Sequence, residues 1–135
     1  MRYWLIKSEP YKYSWNQLVK DGVTFWDGVR NYQARNNLAA MEIGDLCLFY
    51  HSNEGKEVVG IARVTGTARP DPTADSDTWV GVEVSPHKQL NNPVGLAQIK
   101  AEPSLVQMGL LRQGRLSVVE VSREEFDIIV ALSEQ

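Results

Sequence analysis

Strand-like and helix-like stretches succeed one another in this sequence in no regular order, and that irregularity restricts the fold more than any other feature. Residues 2–6 run through aromatic and branched side chains without interruption, the pattern of a strand covered on both faces, and Pro10 stops it. Ser14 and Gln17 have the spacing of a capping box with Leu18 and Val19 following, which predicts a short helix over about 14–20. Asp27-Gly28 marks a turn. Beyond it residues 31–41 lack Gly and Pro, and Leu38 with Met41 supplies an apolar stripe for a second helix. Residues 45–52 read as a strand, with Leu46, Leu48 and Tyr50 on one face and Cys47, Phe49 and His51 on the other. The turn signal Asn53-Glu54-Gly55 joins it to a strand over 58–67 as an antiparallel hairpin, and Gly60 and Gly66 predict bulges within that strand.

Pro70-Asp71-Pro72 opens a loop to about Thr78, after which residues 79–84 alternate, with Val80, Val82 and Val84 inward. Residues 93–108 have helical character in two short pieces broken at Pro103, and residues 116–121 form a last strand. Ser122 and Glu125 make a second capping box, opening a helix whose Phe126, Ile129 and Val130 face the core. Strands and short helices in this mixed order argue against a doubly wound parallel sheet and for a small α+β barrel. The 135 residues suffice for one domain, 1–135, which buries roughly two thirds of its unfolded surface without staples. The single Cys47 cannot form an internal disulfide, and with only His51 and His87 beside it no structural zinc, other metal or cofactor is expected. No apolar run approaches the about 18 residues of a membrane span, and the start is too short in apolar residues for a signal peptide. A soluble cytoplasmic protein with no membrane partner is expected. Its oligomeric state is open, a monomer being the simpler expectation.

Charge and aromatic content are uneven. The formal net charge is −3, yet residues 1–40 carry six Lys/Arg against three acids, and the remainder eight against fourteen. Ten of the twelve aromatic residues fall in the first fifty. This combination fits either a core concentrated at one end of the chain or a local binding face; it argues against a general polyanion binder.

Enzyme chemistry finds little support. Cys47 and His51 share a strand face but stand roughly 13 Å apart at about 3.3 Å per residue, too far for a thiolate–imidazole pair. Phosphate-loop, dinucleotide, nucleophile-elbow and deaminase motifs are absent. The polar residues that stand out lie at element ends: Lys7-Ser8-Glu9-Pro10, the stretch 26–37, and Phe49-Tyr50-His51-Ser52. Element ends are where a scaffold fixes side chains while leaving their tips reachable. Their chemistry is that of recognition: aromatic faces for stacking, amides and carboxylates for a heterocycle's edge, guanidinium groups for phosphate. Each residue also has a structural reading. Trp4, Trp15 and Phe49 belong more naturally to the core, Asp27 to its turn and Asn31 to a helix cap, while His51 fits a core edge as well as a contact.

Over these same segments the sequence resembles the EVE domain family. The residues that carry the likeness are Tyr3-Trp4-Leu5 with Lys7-Ser8-Glu9-Pro10, Tyr13-Ser14-Trp15, the unbroken stretch 26–38, Gly44-Asp45, Phe49-Tyr50-His51-Ser52, Val59-Gly60-Ile61-Ala62, Pro70-Asp71, Ile99-Lys100, Arg115-Leu116-Ser117-Val118 and the terminal capping box. The resemblance implies a PUA-like mixed β pseudo-barrel of about five or six strands with short helices around it. It further implies a non-catalytic nucleic-acid-binding module that reads a modified, flipped-out base, a modified cytosine in DNA or a modified base in RNA. The matching positions place its pocket among Lys7, Ser8, Glu9, Trp26, Val29, Arg30, Asn31, Tyr32, Tyr50, His51, Ser52 and Arg115. The base would stack on Trp26 or Tyr32 beside Val29, Ser8, Glu9 and Asn31 would read its edges, and Lys7, Arg30 and Arg115 would hold flanking phosphates. The alternative is a nucleoside or nucleotide sensor or enzyme using the same pocket.

Overall fold

The computed structural model describes residues 1–135. The apolar run near the start forms β1 (Tyr3–Ser8), in which Trp4, Leu5 and Ile6 are buried. It lies between a parallel neighbour, β3 (Leu46–His51), and an antiparallel one, β6 (Val118–Val121). The buried Asp45 fixes the β1–β3 register: Trp4 Nε1 donates to its carboxylate at 3.0 Å, and the backbone N–H groups of Arg2 and Glu42 donate at 3.1 and 3.0 Å. Burial by itself would raise the Asp45 carboxyl, but these three donors outweigh it and leave it below its ordinary value.

The remaining strands are β2 (Thr24–Trp26), β4 (Glu57–Pro70) and β5 (Val80–Gly95), and the sheet runs β2-β5-β4-β3-β1-β6. Only β1–β3 is parallel; the other four pairings are antiparallel. The result is a mixed α+β fold with six strands, and its sheet is not closed, since β2 and β6 remain edges. Buried apolar residues from all six strands join one cluster. The expected hairpin is β3–β4, and register shifts fall at Gly60 and Gly66 as those glycines predict.

Helices cover the sheet. α1 (Trp15–Asp21) is capped by Ser14, whose side chain accepts from Gln17 N. Gln17 does not return the bond as a capping box requires; its amide turns to Asp21 at 2.8 Å. α2 (Tyr32–Ala40) buries Ala34 and Leu38, with Met41 buried just beyond its end. α3 (Leu96–Ala101), a 3-10 turn (Pro103–Leu105) and α4 (Gly109–Arg112) follow β5. α5 (Arg123–Ser133) has the complete capping box of Ser122 and Glu125, and Phe126 packs on the Tyr3 ring at 4.5 Å. No helix is long and apolar enough to cross a membrane.

Two elements differ from the sequence reading. β2 was not expected, and β5 extends through residues 85–95, so that Pro93 lies in a strand and helical structure begins only at Leu96. β2 is three residues long and pairs with β5 alone, too short to leave an alternation in the sequence. In β5, Pro86 and Pro93 mask a strand whose pairing with β4 is irregular at four places, where bulges absorb the mismatch.

Gly60 shows how tightly the aromatic end is packed. A methyl group there would lie 2.5 Å from Trp15 ring atoms, and that ring is in turn edge-on to Phe49 at 5.5 Å. Gly60→Ala is therefore expected to destabilise by about 1–3 kcal/mol through overpacking. In urea denaturation the midpoint should fall while the slope stays unchanged.

Candidate nucleic-acid interface

Parallel pairing of β1 with β3 sets Lys7 beside Tyr50 and Ser8 beside His51 at one end of the sheet. Successive side chains on a strand point to opposite faces, so this end divides two concavities. The larger, a cleft of about 800 Å³, is lined by residues 7–9 at the end of β1, Lys12 and Tyr13, the unbroken segment 24–30, Ser52 and Asn53, and Gly114, Arg115 and Ser117. A volume of this size suits a small ligand. Four cations (Lys7, Lys12, Arg30, Arg115) and two carboxylates (Glu9, Asp27) line it, so its local balance is positive in a protein of net charge −3.

Glu9 is the most heavily solvated-by-protein carboxylate of the cleft mouth. It accepts from the Tyr11 hydroxyl and from Asn53 Nδ2 at 2.6 Å, and pairs with Lys12 Nζ at 3.3 Å. The Tyr11 hydrogen bond above all, with Lys12 and Asn53 adding to it, holds Glu9 below the ordinary carboxylate value, so it is anionic at neutral pH. Ser8 Oγ donates to the Tyr13 carbonyl at 2.6 Å, tying the loop after β1 back to the strand. Lys7 Nζ donates to the Gly114 carbonyl at 2.8 Å, and partial burial lowers its ammonium pKa.

The opposite wall is the segment Trp26 to Arg30. Trp26 is only 9% exposed, edge-on to Phe49 at 5.5 Å and to Tyr13 at 6.2 Å, so it is a fixed wall of the cleft rather than a free-standing platform. Gly28 has φ 79°, a left-handed turn that glycine adopts without strain. Behind the segment, the buried Asp71 accepts from Gly28 N at 2.8 Å and Arg30 Nη1 at 3.0 Å, and from the Thr73 N–H and hydroxyl at 2.8 and 2.6 Å. Burial would raise this carboxyl, but the donors from Thr73, Gly28 and Arg30 overcome that and hold it far below the usual range. Arg30 also donates to Thr73 Oγ1 at 3.1 Å, so its guanidinium is positioned by the loop after β4.

Of the twelve residues named from the sequence, eight come together on this cleft: Lys7, Ser8, Glu9, Trp26, Val29, Arg30, Ser52 and Arg115. The other four lie elsewhere. Asn31 caps α2, its side chain accepting from Ala34 N at 2.9 Å. Tyr32 is exposed and packs on Trp79 at 5.0 Å. His51 Nε2 accepts from Trp15 N at 3.1 Å, which needs the neutral imidazole that its burial favours. Tyr50 is buried and faces the neighbouring groove. The sequence reading missed Lys12, Tyr13, Asn53 and Asp71. Asp71 between two prolines, Asn53 in its turn signal and Tyr13 in the family likeness each left a trace, but none that points to the cleft, and Lys12 left none.

Comparison with known proteins agrees with this architecture. The EVE domain model matches residues 2–132. Thymocyte nuclear protein 1 of Gallus gallus is 34% identical, over 98% of this chain and 69% of its own length. Among solved structures, Rpa0253 from Rhodopseudomonas palustris has a TM-score of 0.94 at 46% identity, covering 99% of this chain and 94% of its own. Human THYN1, solved in complex with DNA containing 5-methylcytosine, has a TM-score of 0.93 at 32% identity, covering 100% of this chain and 99% of its own.

The Asp71 geometry makes a prediction about stability. Asp71→Asn removes a buried charge-assisted acceptor and should destabilise by about 1.5–3 kcal/mol at neutral pH. Because the folded carboxyl is depressed, its contribution is present above the unfolded value of about 3.9 and is lost as pH falls toward the folded value. The stability gap between wild type and variant, measured by urea denaturation, should accordingly be constant from neutral pH to about 5 and narrow below about 4.

Proposed function

Because the chain belongs to the EVE domain family, we propose that it binds nucleic acid and takes one modified base, a modified cytosine of DNA, out of its strand into the cleft at the end of β1. The observation that carries this reading is the pairing, in one cleft, of a carboxylate held ionised with a fixed aromatic wall: Glu9 and Trp26. Support also comes from the human relative bound to 5-methylcytosine DNA. A flipped base is read by hydrogen bonds to its polar edge and by packing on its faces. Glu9 accepts from the exocyclic amine. Trp26 supplies the aromatic wall, and Val29 lies beside it as the apolar surface for a methyl group. Lys7 and Arg115 face the backbone at the mouth; Arg115 is exposed and has no ion-pair partner, whereas Arg30 is shared with Asp71. Asn31 and Tyr32 act outside the base site, as cap and as outer aromatic.

The module is a reader and not an enzyme on this account. Cys47 lies in the core with its thiol pushed up by burial, the Ser8 hydroxyl is engaged by a carbonyl, and His51 faces a backbone N–H. None of them presents an activated nucleophile to the cleft.

The test is a titration panel of matched DNA and RNA oligonucleotides differing in one base modification. Tightest binding is expected for DNA with a modified cytosine; equal affinity across the panel would remove the base-reading role. Glu9→Gln should weaken binding to the preferred oligonucleotide roughly tenfold, about the effect of one lost edge contact. Since Glu9 is depressed and remains ionised, its share of the affinity, read as the difference between wild type and Glu9→Gln, should not change between about pH 8 and pH 5.

A further inference from the structure

On the other side of the β1–β3 end lies a second concavity of about 550 Å³, lined by twelve residues. It shares Lys7, Ser52, Asn53 and Gly114 with the cleft, so the two are continuous across the Lys7–Gly114 hydrogen bond. Its charge is one-sided. Lys7, Lys56, Lys100 and Arg112 line it, no carboxylate does, and none of these four cations is in an ion pair. Its floor is aliphatic, with Leu96, Leu110 and Leu111 beside the half-exposed Val106. Tyr50, a residue only 4% exposed, lines it as well, and its hydroxyl tip keeps access to the groove, with no hydrogen bond to the protein.

We propose that this groove holds the strand next to the flipped base: phosphates against Lys56, Lys100 and Arg112, and an adjacent sugar or base face on the aliphatic floor. The inference rests on the base-reading cleft proposed above. Two features select this occupant. A groove with four unpaired cations and no acid complements a polyanion, and its continuity with the cleft places it where the backbone must pass once a base enters beside Glu9. Lys7 stands at the crossing and faces both. The Tyr50 hydroxyl, free of any partner within the protein, offers a donor to a phosphate or sugar oxygen in the groove. The cleft thus selects the base, and the groove contributes sequence-independent affinity.

The experiment uses the full chain and single-stranded DNA with or without one 5-methylcytosine. Lys100 and Arg112 are exposed, and their side chains make no hydrogen bond or ion pair, so their replacement leaves the fold's contacts intact. Lys100→Glu with Arg112→Glu should weaken binding by ten- to a hundredfold. The milder Lys100→Gln with Arg112→Gln, which introduces no repulsion, should make the salt dependence shallower by about 1.4 in log–log slope, the share of two phosphate contacts on a single strand. The ratio of affinities for methylated and plain DNA should be unchanged in both variants. Wild-type affinity and slope in these variants would overturn the proposal and leave the groove to an acidic protein segment. If binding falls but wild type never distinguishes methylated from plain DNA, the groove stands and the base reading fails. If wild type binds no oligonucleotide, both fail.

Discussion

The register of β1 on β3, latched by Asp45, is the constraint on which the rest of the site depends. Strand side chains alternate, so a slip of one residue would exchange the faces of Lys7 and Ser8 and carry Tyr50 away from its groove. Parallel pairing without a hairpin has no turn to set its register. Here a single buried carboxylate does so, taking donors from Trp4 on one strand and Arg2 just before it, and from Glu42 on the approach to the other. The burial of Trp4 follows from the same contact, because its indole N–H has a partner inside the core. Asp71 repeats the device at the opposite wall: one buried carboxylate orders a distant segment through backbone and guanidinium donors. Two acids from the chain's acidic surplus are therefore spent on positioning a locally cationic surface.

Much of this fold was legible where local chemistry and tertiary role coincide. The run after Arg2, the Asn31 cap, the β3–β4 hairpin with its glycine bulges and the α5 capping box each carry a short-range cause, and each stands where its residues predict. β2 and the far half of β5 were hidden for the opposite reason. Their pairing comes from contacts distant in sequence, and two prolines sit where local propensity argues against a strand. Gln17 makes the same point on a smaller scale: spacing permits the reciprocal cap, but Asp21 one turn on competes for its amide.

The site was legible in part. Contiguous stretches at strand ends carried most of it, and eight of twelve named residues share the cleft. The residues that left the group were each captured by another partner, Asn31 locally by its own helix, His51 by the distant Trp15 N–H and Tyr32 by the distant Trp79. Tyr50 shows the limit most clearly. Its place at a strand end points to the base pocket, yet it lines the neighbouring groove instead, and which of the two concavities it faces follows from the pairing with Lys7, which no local pattern contains. The same holds for Lys56, Lys100 and Arg112, which lie in a turn and two short helices far apart in sequence and become neighbours only through the fold.

The aromatic and charge skew can now be divided by location. Trp4, Trp15 and Phe49 are core, and Trp26 joins that core to the cleft, so the aromatic crowding builds one rigid end of the sheet before it serves any ligand. Rigidity matters because a base reader gains specificity from groups already in place when the base arrives. The cationic excess then divides around the same rigid end, with carboxylates lining the cleft and absent from the groove, a division that suits the proposed reading of a base edge in the first and passage of a backbone in the second. Acids elsewhere oppose this little, since charges beyond about 8 Å are largely screened at physiological ionic strength. An overall charge of −3 is thus compatible with a polyanionic ligand held locally, and it disfavours nonspecific association along the rest of the surface.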